Sequence, residues 1–557
     1  MKKNINIIVI AAIAACMTAC NFLDKNPDER ADINSQKKVQ LLLVSGYDYP
    51  NYGPIGEASS DNMVDNNTPD AVGHINKKVA WSQMYDQIFA WEDVTSDNQQ
   101  DTPYAIWQNL YKNIAVANQA LAAIDKLEAK GEHLDAERSE ALLIRAYNHF
   151  LLVNIFCQAY RNDELSQNDL GIHYMTEAET TVKPQYNRSN VTEVYRRIGE
   201  DLEKGLEHVS DDYYSVPKYH FNSKAAYAFA AKYYLYTRQY DKVIECANKV
   251  LGTSATDAQN MMFDAATAKA MGNGEKEMYA WMDAQSPSNL MIISTMSQSQ
   301  YAYLTSYARY TFNRAPKDAT IMGPGPCWDN RFPGTNVWQY NQNFGGFLAK
   351  LIEVFEYTDK VAGIGFLHAL RRELTAGETL LCRAEAKIMK GQIASAVSDM
   401  NVWCKGYCCT KALTEANIQS FFRKGRSNQL TPTLHNSDMS EDWIIDANKL
   451  PFIWCVLHFR RIETLHDGMR WFDIKRYGIE LEHVIGSDQK VVTLTWNDAR
   501  RAIQLPQEAI LAGQKANPRP TIGHAADITA PSTARSDYEM YLWHKTEQPT
   551  VIPFDEQ

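Results

Sequence analysis

Beyond its first twenty residues the sequence has no apolar run approaching the roughly 18 residues that a membrane-spanning helix needs, which argues against a polytopic membrane protein. It has no surplus of positive charge: 56 Lys+Arg stand against 67 Asp+Glu, a net charge of −11. General nucleic-acid binding requires a basic footprint, so that class is set aside. No HExxH, GxSxG, Walker A or GxGxxG pattern occurs, and the chemistries those motifs serve lack their residues. The 10 cysteines show neither the CxxC…CxxC nor the His spacing of a zinc site. What is present is 45% hydrophobic and 22% charged residues, with a mean hydropathy of −0.41. Those values fit a soluble globular body long enough to bury a large core. Aromatic usage leans toward 30 Tyr and 12 Trp against 19 Phe. Tyr and Trp join a flat apolar face to a polar handle, which suits polar ligands, although most such residues simply pack.

The N-terminus reads as an export signal. Lys2 and Lys3 form a basic start, and Ile5 to Ala15 is apolar except for Asn6. That stretch is too short to span a bilayer but suits a secretory signal. Small residues then lead into a cysteine, as in a bacterial lipoprotein signal. Both Ile13-Ala14-Ala15-Cys16 and Met17-Thr18-Ala19-Cys20 qualify, and Cys20 leaves the fuller apolar segment. The expectation is a signal peptide over residues 1–19 and a lipid anchor at Cys20, since two acyl chains hold a soluble body on a membrane. Of the remaining cysteines, Cys157, Cys246, Cys382 and Cys455 lie in apolar helical contexts and read as small core residues. Cys404, Cys408 and Cys409 leave a local disulfide open, with no metal expected.

Apolar spacing predicts a helical block from Thr102 to Ala159, carried by Ile106, Leu110, Ile114, Ala117, Leu121 and Ile124, then Leu142, Ala146, Phe150 and Val153. A second block starts at the polar cap Ser189-Asn190, with Glu193 placed as in a capping box. A third runs from Ser223 to Leu251 and a fourth from Leu367 to Trp403. The last two resemble each other: Tyr227 to Lys232 aligns with Leu380 to Glu385, and Arg238 to Ile244 aligns with Gly391 to Val397. Each reads as helix, tight turn and helix, the tetratricopeptide-like hairpin that stacks because it cannot bury its apolar face alone. Between them, over residues 253–346, helical periodicity fades while Pro, Gly and aromatic residues accumulate, so a loop-rich insertion is expected there. Gln489 to Trp496 alternates as a short strand.

Several stretches together resemble the RagB/SusD family of nutrient-binding outer-membrane lipoproteins. They are Cys20-Asn21-Phe22-Leu23-Asp24 with Pro27, Ser60-Asp61-Asn62, Arg145 to Phe150, Leu370 to Leu374, Arg383 to Ala386 and Ile503 to Glu508. Most specific is Arg460-Arg461-Ile462-Glu463-Thr464-Leu465-His466-Asp467-Gly468-Met469-Arg470-Trp471-Phe472-Asp473-Ile474-Lys475-Arg476-Tyr477-Gly478, close to the family's C-terminal signature. Thr464 and Asp467 depart from its commoner Leu and Glu, and a tail over residues 521–557 extends past the resemblance. The signature reads as architecture, with Glu463, Asp467 and Asp473 pairing with Arg470 and Arg476. His466-Asp467 could serve a base, but no nucleophile or metal motif accompanies it.

The resemblance implies a mainly α fold: a scaffold of four tetratricopeptide-like units over residues 20–252 and 347–520, with the insertion as an irregular ligand-binding subdomain. It implies a non-enzymatic, surface-exposed outer-membrane lipoprotein without cofactor. Such a protein captures a glycan and acts as the lid of a SusC-like TonB-dependent transporter, with its helical face on the partner. Peptide capture, as in RagB-type members, or a protein-binding adaptor role are the alternatives. A sugar offers a C–H face for ring stacking and a hydroxyl rim for hydrogen bonds. The expected platforms are Trp281, Tyr301, Tyr303, Trp328 and Trp338, with Asn330, Arg331, Asn336 and Gln339 as polar partners. Asp61, Asn62, Trp81 and Trp91 would form a second wall.

Overall fold

The helical periodicity resolves into antiparallel helix pairs. A computed structural model describes residues 33–519 apart from 70–72, 76, 96–99, 179–185, 273–274, 298, 300–307, 342–344, 349, 351 and 423–444. The expected signal, Cys20 and the tail lie outside the described residues. In chain order the main helices are α1 (Gln36–Val44), α2 (Gly53–Ser59), α3 (Gln83–Phe89), α4 (Pro103–Glu128), α5 (Asp135–Phe156) and α6 (Val191–Glu207). There follow α7 (Ser223–Tyr236), α8 (Tyr240–Leu251), α9 (Ala376–Met389), α10 (Ile393–Gly406), α11 (Leu450–Glu463) and α12 (Met469–Arg476). The strands are β1 (Val64–Asp65), β2 (Asn289–Met296), β3 (Tyr310–Thr311), β4 (Val337–Asn341), β5 (Gly345–Leu348), β6 (Ile352–Asp359), β7 (Ile364–Thr375), β8 (Leu481–Ile485) and β9 (Lys490–Leu494). No helix among the described residues is long and apolar enough to cross a membrane.

Local chemistry starts these helices where the sequence reading put them. Thr102 accepts a hydrogen bond from the Ala105 amide (3.2 Å) and Pro103 fills the first turn of α4. Asn190 accepts from the Glu193 amide (2.8 Å) at the start of α6. The α7–α8 and α9–α10 hairpins begin 153 residues apart at both helices. Their turns match as well: Arg238 and Gly391 hold equivalent positions with φ of 64° and 75°. Ala228, Ala230 and Ala231 in one hairpin and Ala384 and Ala386 in the other are buried, which lets the helices approach closely. Bidentate ion pairs bind consecutive helices: Arg145 to Asp201 between α5 and α6, and Arg383 to Asp399 between α9 and α10.

One expectation is corrected. Leu367 to Thr375 is not the start of the fourth helical block but the end of β7, paired with β2 on one side and β6 on the other. Neighbouring side chains there have partners on opposite faces, as a strand's period of two requires. Arg371 donates to Asn51 (2.6 Å) and lies 4.1 Å from the Tyr52 ring centroid, and Glu373 accepts from Tyr52 (2.7 Å) and Tyr147 (2.5 Å). Between them Arg372 points the other way, 4.5 Å over Trp281. Tertiary partners override the helical propensity of Leu, Ala, Arg and Glu. The same sheet ties residues 289–296 of the expected insertion to residues 352–375.

The signature forms α11, a tight loop and α12, and its charges are buried. Glu385 of α9 accepts from Arg460 (2.5 Å), Arg476 (2.9 Å) and Tyr477 (2.5 Å), and Asp473 pairs with Arg476 (2.6 Å). The pairing therefore differs in part from that expected within the signature. Arg470 goes to Asp61 (2.8 Å), Asp467 to Lys350 (2.7 Å), and Glu463 accepts from Trp403 (3.0 Å), Tyr407 (2.6 Å) and Thr375 (3.0 Å). The loop itself is held backbone to backbone. Gly468 sits at φ 78°, and a Cβ on Gly56 would fall 2.3 Å from its carbonyl oxygen.

Two outcomes follow from this core. Removing one partner from a buried ion pair strands the other charge, so Glu385→Gln should lower unfolding free energy in denaturant by about 3–5 kcal/mol. Glu203→Gln, which breaks an exposed pair with Lys242, should cost about 1 kcal/mol or less. The second outcome concerns His458, buried beside Trp328, Phe422 and Phe459. Burial, aided by the Arg461 and Arg470 charges, pushes its imidazole down to about 3. A base depressed in the fold contributes stability present above its unfolded value of about 6.5 and lost as pH falls toward the folded one. Between pH 7 and 5 the wild type should therefore lose up to about 2 kcal/mol relative to His458→Gln, measured by denaturant titration at each pH.

Candidate functional site

The non-helical segments gather on one face, and a column of rings supports it. Tyr310 of β3 stacks on Phe89 of α3 (4.4 Å), Phe89 on His483 of β8 (4.1 Å), and His483 on Trp91 (4.1 Å). His483 is fixed between carbonyls, with Nδ1 2.6 Å from Phe89 O and Nε2 3.0 Å from Ser60 O. Arg309 then clamps the incoming strand: it meets both oxygens of Asp65 (3.0 and 2.8 Å) and reaches Asp86 (2.9 Å), which also accepts from the Tyr310 hydroxyl (2.6 Å). Asn66 binds Ala308 O (3.1 Å) and Thr311 (2.9 Å), completing the β1–β3 junction.

On this base lies a closed loop. The Asn67 side chain both donates to Lys78 O (2.8 Å) and accepts from Lys78 N (2.6 Å), so residues 67 and 78 are held like a pair of strand neighbours. The chain leaves that clamp through Trp81, which enters α3 with half its surface exposed (52%). The β4–β5 hairpin reaches the same side: the Leu348 amide donates to His466 Nε2 (3.2 Å), and His466 meets Phe312 edge-on (5.4 Å). Asn313 bonds Asn66 (3.3 Å) next to it. This face offers an exposed indole and the half-exposed Asp86 carboxylate, groups suited to stacking and hydroxyl recognition, while Asp65 and Asn66 are buried in the junction beneath. Two clefts lie apart from it. One of about 310 Å³ opens on the first helix pair beside Trp107, Tyr111, His173 and Tyr186, and one of about 490 Å³ carries Arg238, Asp241, Lys242, Lys390 and Lys449.

The residues expected from sequence to line the site are distributed otherwise than expected. Trp81 is on the face, and Trp338 lies in β4 opposite Phe347. Tyr301, Tyr303 and the expected anchor Cys20 lie outside the described residues. Trp91, Trp281 and Trp328 are buried with their ring faces covered, which corrects the picture of them as accessible platforms. Trp91 stacks on His483 and donates to Ser59 O (3.0 Å). Trp281 lies against Phe263 (3.9 Å), and Trp328 donates to Gly323 O (3.0 Å) beside Phe332 (5.1 Å). Packing takes them because burying so large a ring stabilises a core, with the N–H satisfied in Trp91 and Trp328 and the Arg372 guanidinium over the ring of Trp281.

Asp61 and Asn62 are likewise occupied. Asp61 pairs with Arg461 (2.9 Å) and Arg470 (2.8 Å), and Asn62 accepts from Arg461 (2.7 Å) and donates to Glu57 (3.1 Å). Burial pushes the Asp61 carboxyl up, but the two guanidiniums outweigh it and hold the group well below the usual carboxylate range. Arg331 is exposed in the segment that Lys269 fastens through Pro333 O (2.5 Å), and Asn336 bonds Glu277 (2.8 Å). Sequence reasoning missed Asp65, Asn67, Asp86 and Arg309. Asp65 and Asp86 meet Arg309 across 244 and 223 residues, and Asn67, though its partner Lys78 is 11 residues away, sits in no spaced motif.

Comparison with known proteins shows what this chain is similar to. Residues 21–235 match the SusD-like family model described as "Starch-binding associating with outer membrane". The chain is similar in fold to a SusD superfamily protein from Bacteroides thetaiotaomicron, at 18% identity and a TM-score of 0.56, covering 87% of this chain and 99% of that one. A SusD superfamily protein from Bacteroides vulgatus is similar at 18% identity and a TM-score of 0.59, covering 86% and 98%. A SusD-like carbohydrate binding protein from Bacteroides vulgatus is similar at 15% identity and a TM-score of 0.55, covering 86% and 96%. No match was found among curated proteins.

The clamp can be tested separately from any ligand. Arg309→Ala should release the β1–β3 junction while leaving the repeats intact. Hydrogen exchange should speed up by about ten-fold or more, equivalent to about 1.4 kcal/mol, at the Asn66 and Thr311 amides, with the α9 and α10 amides unchanged. Equal acceleration throughout the chain would mean that Arg309 supports the whole fold and not this face.

Proposed function

We propose that this chain, a SusD-like protein by sequence over residues 21–235 and by fold over most of its length, captures an oligosaccharide at the face built around Trp81. The observation that carries the reading is the exposed Trp81 ring, just past the loop that Asn67 and Lys78 close. Elsewhere in the described side chains tryptophan is buried or half-buried. A clamp just before the ring restricts the backbone that carries it, which lowers the entropy lost on stacking against a sugar. The family description names starch and the outer membrane, which makes α-glucans the first ligands to try. The mechanism is binding and hand-over, with no bond broken: the body is tethered by a lipidated Cys20, and its helical face meets a SusC-like transporter over which it closes.

Isothermal titration against a panel of oligosaccharides, maltooligosaccharides among them, should show binding by the wild type. Trp81→Ala should weaken it by about ten-fold, or about 1.4 kcal/mol, without lowering the melting temperature. Unchanged affinity in that variant, or binding of peptides in place of every glycan tried, overturns the reading. Co-purification of a large β-barrel protein from detergent extracts supports the transporter partnership, and its absence favours an adaptor role.

A further inference from the structure

Two cysteines at the end of α10 and a third, 77 residues before the first of them, converge on one point. Cys404 lies in the last turn of α10. The chain then turns back sharply: Cys408 adopts φ 60°, a left-handed conformation unfavourable for a residue with a Cβ, and the Cys409 amide donates to Cys404 O (2.9 Å). The third member, Cys327, arrives from the segment carrying Trp328, and its carbonyl accepts from the Lys411 amide (3.3 Å). Cys327 Sγ is 3.2 Å from Cys404 Sγ, and the three sulfurs all lie within 4.8 Å of one another. Cys327 and Cys404 are buried and Cys409 is half-buried. All three are free thiols.

The geometry points to a metal: we propose that Cys327, Cys404 and Cys409 form a thiolate site for one zinc ion, with the fourth position open on the Cys409 side. A disulfide would use two sulfurs and give no reason for the third to converge on them. Tetrahedral zinc with Zn–S bonds of about 2.3 Å separates its sulfurs by about 3.8 Å, which lies between the closest approach seen here and the outer limit of the cluster. Loading releases the thiol protons to solvent, and the dication offsets most of the thiolate charge. The ion would fasten the Trp328 segment to the end of α10, a junction otherwise made by packing, an exposed Lys411–Asp329 ion pair and backbone hydrogen bonds.

The full-length chain, purified under reducing conditions, should carry one zinc per molecule by elemental analysis. After chelation, titration of the apo-protein with cobalt(II) should produce the near-ultraviolet sulfur-to-cobalt charge-transfer absorption of thiolate ligation. Cys409→Ser and Cys327→Ser should each weaken zinc binding by more than about ten-fold in competition with a chromogenic chelator. Cys246→Ser, which removes a buried thiol on α8, should not. The wild-type titrations stand even if a variant fails to fold. Absence of metal uptake, a disulfide among Cys327, Cys404 and Cys409 found by peptide mapping, or unchanged zinc affinity in Cys409→Ser each overturns the proposal.

Discussion

A buried carboxylate can be tolerated only where guanidinium or hydroxyl groups meet it, and Glu385 imposes that condition on the whole molecule. Its partners Arg460, Arg476 and Tyr477 lie 75 to 92 residues further along the chain, so α9 cannot reach its native surroundings until α11 and α12 are in place. Asp61 makes a second such demand on the same helices from the opposite end of the chain, through Arg461 and Arg470. Such networks contribute little net stability relative to an apolar core of equal volume. What they do is penalise every arrangement in which one partner is missing. The close approach of Gly56 to Gly468 adds a steric condition at the same junction.

The candidate face inherits its rigidity from that junction. Residues 57–62 are fixed by Arg461, Arg470 and Gly468, and Ser60 O holds His483, whose ring carries Phe89 and Tyr310. Arg309, Asp86 and the closed loop before Trp81 therefore rest on a chain of contacts that begins in the signature. Loops on such a base can present a flat ring and polar groups without themselves forming a core. The charged signature, which could be mistaken for an active site, acts as the foundation of the candidate face.

How much of this could be read from the sequence depended on the range of the interaction. Helix starts at Thr102 and Asn190 and the 153-residue offset of the two hairpins are local or repeated signals, and the structure has them where the spacing put them. The same holds for β9, where Lys490 to Leu494 forms a short strand within the stretch expected. Leu367 to Thr375 misled because its composition suits a helix, while its conformation is set by Asn51, Tyr52 and Trp281, which no window around it contains. The signature was legible as architecture but not in its pairings: Arg470 takes Asp61, more than 400 residues away, in preference to an acid nearby. The aromatics were the hardest to assign, because Trp81 and Trp91 look alike in sequence and differ only in what covers them.

That difference bears on why the residues between the repeats need more than one attachment. A segment joined to a scaffold only at its two ends would swing, and a swinging ring loses on binding the entropy that a fixed one has already lost. Here Arg309 joins β3 to Asp65 and Asp86, His466 joins β5 to the signature loop, and β2 pairs with β7 next to α9. These attachments lie on different elements and use different chemistry, so disturbing one leaves the others in place. The three-cysteine cluster falls where the Trp328 segment meets the end of α10, beside the Lys411–Asp329 ion pair. A metal there would add a further attachment of a different chemistry to the same segment.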